Sequence, residues 1–423
     1  MYIPRSRVFW SVSLGHMSND LFMAMGPVLL AFIGGVYMDI PPAQIGVAVS
    51  ARQFLGGVSQ PLFGWLSDKG SSRVLGAGGV FLTVAMLALS MLLAMTGNFW
   101  LMIVPFALSA LGSGAFHPVG TAYSSHQASQ HASTTTAYFF LFGQTGLAIG
   151  PALAGLLLGM TQTGGEGGSV WPIIGLAGVA LPSVYLMSRA LPNRRQVAAL
   201  DAEDAAMEAA QPATPKPPVR VRPLLLLALL VALRGLAYPG SVAFIPVLFK
   251  LKGWSPAAYG GITSLFWLSS AVAGVVAGSL ADRVGRRLVV IASLVLAVPV
   301  YFVLPTVDSW LAYLLVVLAG ALVGGPHSII VVLAQSLLPG RKGFASGVAL
   351  GFIFGVGALG TLLIGYLADG VGDVFAGIGL EAAFQAIAVF VLASALVGFT
   401  LPGHAGGKAK RKPSVALEPE GAD

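Results

Sequence analysis

Twelve runs of apolar residues, each long enough to cross a bilayer, decide what this chain can fold into. A hydrocarbon core about 30 Å thick needs about 20 apolar residues in a helix. Runs of that order cover 8–36, 43–66, 74–96, 99–124, 132–159, 171–191, 222–249, 256–281, 288–306, 309–334, 343–369 and 377–400. The short alternating segments of a transmembrane barrel are missing, so the expected fold is all-α. Charged residues make up 9% of the 423, against about a quarter in a soluble domain. That excludes an ordinary soluble enzyme. The first run carries His16, Asn19 and Asp20 and continues with no A-x-A-like cleavage site. It reads as a retained helix rather than a signal peptide.

The polar stretches divide the runs into two sets of six. Residues 192–221 hold Arg194, Arg195, Asp201, Glu203, Asp204, Glu208, Pro212, Pro215, Pro217 and Pro218, the composition of a linker outside the membrane. The expected organisation is a six-helix bundle over 1–191, a cytoplasmic linker over 192–221, a second bundle over 222–401 and a disordered cytoplasmic tail over 402–423. The formal charge of +7 would suggest nucleic acid in a soluble protein, but here its distribution marks topology. With the amino terminus in the cytoplasm, 19 of the 23 Lys and Arg fall on that side and only Lys250 and Lys252 on the other. Both termini are therefore expected inside, because cytoplasmic loops collect positive charge.

The two halves repeat. Gly64, Asp68 and Lys69 at the end of the second run recur as Gly278, Asp282 and Arg283 at the end of the eighth, an offset of 214. Gly112, Gly114 and His117 in the fourth run are echoed by Gly324, Gly325 and His327 in the tenth. Such repeats mark secondary transporters. These residues resemble the major facilitator superfamily, whose marker loop reads G-x-x-x-D-[RK]-x-G-R-[RK]. The copy from Gly278 to Arg287 fits it in full; the copy from Gly64 to Arg73 has Ser71 and Ser72 where the pattern has Gly and Arg. Gly146, Gly150, Pro151 and Gly155 look like the superfamily's antiporter motif, which implies export. More narrowly, the chain is similar to the fosmidomycin resistance protein family of bacterial drug exporters. The matching stretches run from Ser13 through His16, Asn19 and Asp20, over Ala115 to Pro118, and from Ala334 to Arg341. That family tends to place an acidic residue after the His-Pro pair, where this chain has Val119.

Charges at bilayer depth cost about 2.5–3.5 kcal/mol or more each, so those that occur usually face a cavity and act there. Asp20, His117, Arg234 and His327 fall in runs one, four, seven and ten, which line the central cavity in the superfamily that the chain resembles. Asp20 lies about 18 Å into its run at 1.5 Å per residue, near mid-membrane. Arg234 lies 214 residues later, the offset of the marker loops. A carboxylate at that depth can load a proton on one side and release it on the other, while an anionic substrate at Arg234 competes for the same partner. The alternatives are a permanent Asp20–Arg234 ion pair, or an Asp20 that only hydrogen-bonds the first helix to its neighbours. Asp20 and His117 are the expected proton-coupling residues. His16, Asn19, Arg52, Arg234, Tyr238 and His327 are the expected substrate-binding residues, with Arg52 equally suited to a structural contact or to pairing with Asp20. His117 and His327 each also lie beside a Pro, where the ring can satisfy a freed carbonyl instead. Phe266, Trp267 and Tyr238 are candidates to line an apolar pocket. Asp68, Lys69, Arg73, Asp282, Arg283, Arg286 and Arg287 are too near the surface to touch substrate and are expected to gate the inward–outward change.

No phosphate-binding G-x-x-x-x-G-K-[ST], no H-E-x-x-H and no Asp/Glu cluster suited to a metal is present, and there is no Cys. Neither ATP, a cofactor nor a metal is expected, and the chain lacks an enzyme's nucleophile-and-base constellation. The expectation is a multi-pass protein of the bacterial inner membrane, working as a monomer with small molecules and protons and not with nucleic acid. It would export small drug-like or anionic compounds in exchange for protons; uptake of a metabolite is the alternative.

Overall fold

The computed structural model describes residues 4, 6–69, 71–125, 132–162, 167–197, 221–327, 329, 330, 333 and 342–400. Most of the expected linker, the tail and the motif from Ala334 to Arg341 lie outside the described residues, as do the side chains of Asp68 and Lys69.

Twelve helical segments match the twelve runs. They are α1 (Arg7–Val36), α2 (Pro42–Lys69), α3 (Ser72–Ala94), α4 (Phe99–Ser125), α5 (Ala132–Gly159) and α6 (Trp171–Ala190), then α7 (Val221–Leu251), α8 (Pro256–Val284), α9 (Arg286–Val303), α10 (Leu311–Gly324), α11 (Lys342–Asp369) and α12 (Leu380–Thr400). In lipid every backbone group must be satisfied within the protein, which leaves the helix as the solution for runs of this length. Serines start several of them: Ser6 Oγ accepts from Phe9 N, Ser71 Oγ from Val74 N and Ser255 Oγ from Ala258 N, each satisfying a donor the helix cannot. Among the described residues, ten helices are long and apolar enough to cross a membrane. The described part of α10 is shorter, and α2 is diluted by Gln44, Ser50, Arg52, Gln53 and Ser59. One small departure from an all-helical chain is a two-stranded ribbon, Gly370–Val371 against Phe375–Ala376, between α11 and α12.

Six of the seven Trp lie near helix ends: Trp10, Trp65, Trp100, Trp171, Trp254 and Trp310. That is the belt expected at the two membrane surfaces, where an amphipathic ring is apolar on one side and wet on the other. Trp267, in the middle of α8, is the exception.

Among the described residues, polar contacts between the halves α1–α6 and α7–α12 gather towards the end of the bundle remote from both termini. Two crossings make them, α2 with α11 and α5 with α8. Pro42, Gly46 and Ser50 open α2, and Pro256, Gly260 and Ser264 open α8, again at the offset of 214. Ser50 Oγ donates to Ala358 O at 2.6 Å, and Ser264 Oγ accepts from Ala152 N at 2.8 Å. A Cβ on Gly260 would stand 2.5 Å from Pro151 O and one on Gly46 3.1 Å from Thr361 O, so glycine permits backbones to touch here. Asp369 Oδ2 accepts from Ala43 N at 2.5 Å, placing a carboxylate of one half on the positive first turn of a helix in the other.

Candidate functional site

Three helices of the first half converge on Asp20. Gly143, Gly146 and Gly150 of α5 lie directly against His16, Met17 and Leu21 of α1, so the two helices run backbone to backbone past the Asp20 turn. His16 and Asp20, one helical turn apart, share a face. Their side chains meet at 3.2 Å from Nε2 to Oδ2, and His117 of α4 brings its Nε2 to 3.5 Å from Oδ1. The other nitrogen of each ring is already committed. His16 Nδ1 donates to Phe139 O at 2.9 Å, and His117 Nδ1 donates to Ser113 O at 2.8 Å. Only an N–H can bond a carbonyl, so both Nε2 atoms are the ones left to face the carboxylate. A bare Nε2 would set lone pair against lone pair; the arrangement is satisfied when a proton sits between ring and carboxylate.

Asn19 completes the frame. Its amide donates to Asp20 Oδ1 (2.9 Å) and Ser113 Oγ (3.0 Å), and its carbonyl accepts from Thr83 Oγ1 at 3.0 Å. Asn19 is 0% exposed and His16 3%. Both were expected to bind substrate; their polar groups are instead turned on Asp20 and its neighbours. The His117 side chain, 28% exposed, is the member that reaches open space. The ligand atoms of His16, Asp20 and His117 all lie within 4.8 Å of one another. In the sequence His117 lies 97 residues beyond Asp20, so no local motif announces the trio.

Neither buried guanidinium pairs with Asp20. Arg52 donates through Nε to Ser109 Oγ (3.0 Å) and through Nη1 to Met23 O (2.9 Å), with its Cζ 4.8 Å from the Phe106 ring centroid. It clamps α2 to α1 and α4. Arg234 in α7 is 1% exposed and donates through Nε (2.8 Å) and Nη2 to Val323 O of α10. The Asp20–Arg234 pair considered from the sequence is not formed here, because Asp20 is already satisfied by two imidazoles and an amide.

Around Arg234 the second half builds a different surface. The guanidinium stands 5.1 Å from the Tyr238 ring centroid, and Tyr238 OH shares a hydrogen bond with Ser270 Oγ at 3.2 Å. Phe266 and Trp267 pack on Tyr238 at 5.5 and 5.9 Å. His327 Nδ1 and Trp267 Nε1 are buried with no hydrogen-bond partner among the described residues. The signal for Trp267 was available in the sequence, as the one Trp far from any helix end.

The marker-loop residues divide into two kinds. Arg73 Nε donates to Leu191 O at 3.1 Å, and Arg287 donates through Nε to Gly398 O (3.2 Å) and through Nη2 to Phe399 O. Each satisfies carbonyls at the end of the last helix of its own half, and the two arginines are related by the offset of 214. Asp282, Arg283 and Arg286 are exposed at the surface. Gly285, with φ +100°, makes the turn from α8 to α9 in a conformation that L side chains resist, while Ser71 caps α3 at the equivalent place.

Two pseudo-symmetric six-helix halves with ionisable groups buried between their helices are the architecture of a secondary membrane transporter. The profile of the Major Facilitator Superfamily matches residues 8–260 and 228–420, and the chain belongs to that family. It is 26% identical over 368 residues to the fosmidomycin resistance protein of Escherichia coli (strain K12), covering 86% of each chain. It is 27% identical over 363 residues to an uncharacterized MFS-type transporter, YfnC, of Bacillus subtilis (strain 168), covering 85% of this chain and 86% of that one. Among solved structures, a bacterial homolog of the human lysosomal transporter Spinster, inward-facing and occupied, superposes with a TM-score of 0.71 at 14% identity, over 93% of this chain and 96% of that one. The D-xylose-proton symporter superposes at 0.68 with 13% identity, over 95% and 98%.

Proposed function

We propose that the protein is a proton-coupled exporter of small anionic or drug-like compounds, working as a monomer in the bacterial inner membrane by alternating access of its two halves. The observation that carries this reading is the Asp20 cluster: a carboxylate inside the bundle whose two imidazole partners are each oriented by a carbonyl so that a proton is needed between them. Asp20 and His117 are the proton-coupling pair, with His16 and Asn19 holding the carboxylate in place. Arg234, Tyr238 and His327 form the anion-binding side, since a buried guanidinium resting on a neutral carbonyl favours an anion when one arrives. With both termini in the cytoplasm, the closed crossings near Gly46 and Gly260 lie on the outer side. The resistance named in the Escherichia coli relative makes fosmidomycin the first compound to test. Uptake on the same fold is the second reading, because fold does not set direction.

Purified protein in liposomes with an internal pH dye tests these points together. Fosmidomycin should move against its gradient when an opposing proton gradient is imposed, and Asp20→Asn should abolish that movement while leaving ligand binding within about threefold. Normal gradient-driven transport by Asp20→Asn would make the carboxylate structural. Movement of ligand and protons in the same direction would replace export with uptake.

A further inference from the structure

Arg234 also touches an irregularity that substrate binding alone does not use. After the regular stretch Leu311–Ala319, α10 widens into a π-helical turn over Gly320–Gly324, the one such turn among the described residues. A π turn is less well bonded than an α turn and persists where something compensates for it. The local sequence sets it up. Gly320 and Gly324 let α10 press onto Phe266 and Ser270 of α8, and Pro326 has no N–H to return to the turn.

The compensation comes from α7. Val323 O, inside the turn, accepts from both Nε and Nη2 of Arg234. Two of the three guanidinium nitrogens are thus committed to one neutral oxygen, and among the described residues Arg234 has no carboxylate partner. An oxyanion is the stronger acceptor and matches the planar fork better than a single carbonyl does. Trp267 Nε1 and His327 Nδ1 stand buried on the neighbouring helices with no hydrogen-bond partner among the described residues, and the indole N–H can only donate. Both features favour an acceptor arriving in this part of the bundle.

We propose that Arg234 links occupancy of the cavity to the shape of α10: without ligand it holds the π turn through Val323 O, and an oxyanion draws it away and frees the turn to shift against α8. This rests on Arg234 as the anion-binding group. It goes further by naming the element that binding releases. The helix that relaxes carries His327 two residues beyond Gly325, so the same event repositions a polar group of the site.

Hydrogen exchange of the amides over 320–327, followed by mass spectrometry on the full chain in lipid nanodiscs, tests the proposal. Arg234→Gln without ligand should exchange about tenfold faster there than the unmodified protein, the scale of one lost charge-assisted hydrogen bond. Arg234→Lys keeps the charge but not the fork, should fall between the two, and carries this arm should the Gln variant not fold. Fosmidomycin or inorganic phosphate, with choline as the cationic control, should speed exchange in the unmodified protein and have no effect in Arg234→Gln. A folded Arg234→Gln that exchanges like the unmodified protein overturns the holding role. If neither anion changes the segment although calorimetry detects binding, the link is overturned while the anion site stands. If neither anion binds, the anion reading of the transport site fails, and the ligand-free comparison still decides whether Arg234 holds the turn.

Discussion

At the scale of single residues, the Asp20 cluster gives its two imidazoles different surroundings. His16 is enclosed, stacked on Phe139 at 4.1 Å and bonded to its carbonyl, while the His117 side chain is 28% exposed. His16→Gln therefore leaves a buried carboxylate and a buried carbonyl short of partners, a loss of about 1–3 kcal/mol. The expected result is a lowered melting temperature of the purified protein. His117→Gln keeps a hydrogen-bonding side chain at the open edge but removes its titration, so the fold should hold and pH-driven transport should fall. A His117→Gln protein that melts early, beside a His16→Gln protein that transports normally, would exchange the two roles. Arg52 belongs with His16: it is 5% exposed and ties Met23 of α1 to Ser109 of α4. Arg52→Ala should cost about 2 kcal/mol or more in stability, with the KM of whatever folds unchanged. A raised KM at unchanged stability would restore it as an anion ligand.

At the scale of helices, closure of the bundle depends on backbone contact at the two crossings remote from the termini. Gly260→Val inserts a branched side chain where even a Cβ would meet Pro151 O at 2.5 Å, so α5 and α8 cannot close and the helices must part. Because the chain has no Cys, labels introduced at Thr96→Cys and Val374→Cys, exposed on that end of each half, are the only ones attached. Their separation should lengthen in Gly260→Val by several ångströms, and an unchanged distance would show that the crossing tolerates the bulk. The twelve helices were legible in the sequence because lipid imposes length and apolarity on every one of them. The repeat of Pro42, Gly46 and Ser50 as Pro256, Gly260 and Ser264 was equally present at the offset already noticed. It carries no charge, so its meaning emerged only when the helices crossed. The convergence of His117 on the His16–Asp20 pair and the choice of Val323 O by Arg234 depend on how helices rotate about their axes. Hydrophobic period constrains that rotation weakly in a bundle wetted by lipid outside and packed by glycine within.

For the whole molecule, alternating access requires a seal at each end, formed in turn by the same two halves. The described conformation shows one seal, with Asp369 on the first turn of α2 and the serine contacts beneath it. On the alternating-access reading proposed above, the other seal is assigned to the marker loops. Arg73 and Arg287 are committed inside their own halves, so the residues left to act between halves are Asp68 and Lys69 in one loop and Asp282, Arg283 and Arg286 in the other. An acidic group that finds a helix start or an arginine in only one state stabilises that state by about 0.3–1 kcal/mol at an exposed site. Two such groups shift the inward–outward ratio by roughly tenfold. Replacing both Asp68 and Asp282 by Asn should therefore slow transport several-fold, while the affinity for ligand, assigned by the proposed function to the distant Arg234 side, stays within about twofold. The same double variant should shorten the Thr96–Val374 label distance on average, because weakening one seal populates the state held by the other. Turnover that is unchanged while affinity falls would mean that these carboxylates act on the binding site and not on the equilibrium between seals.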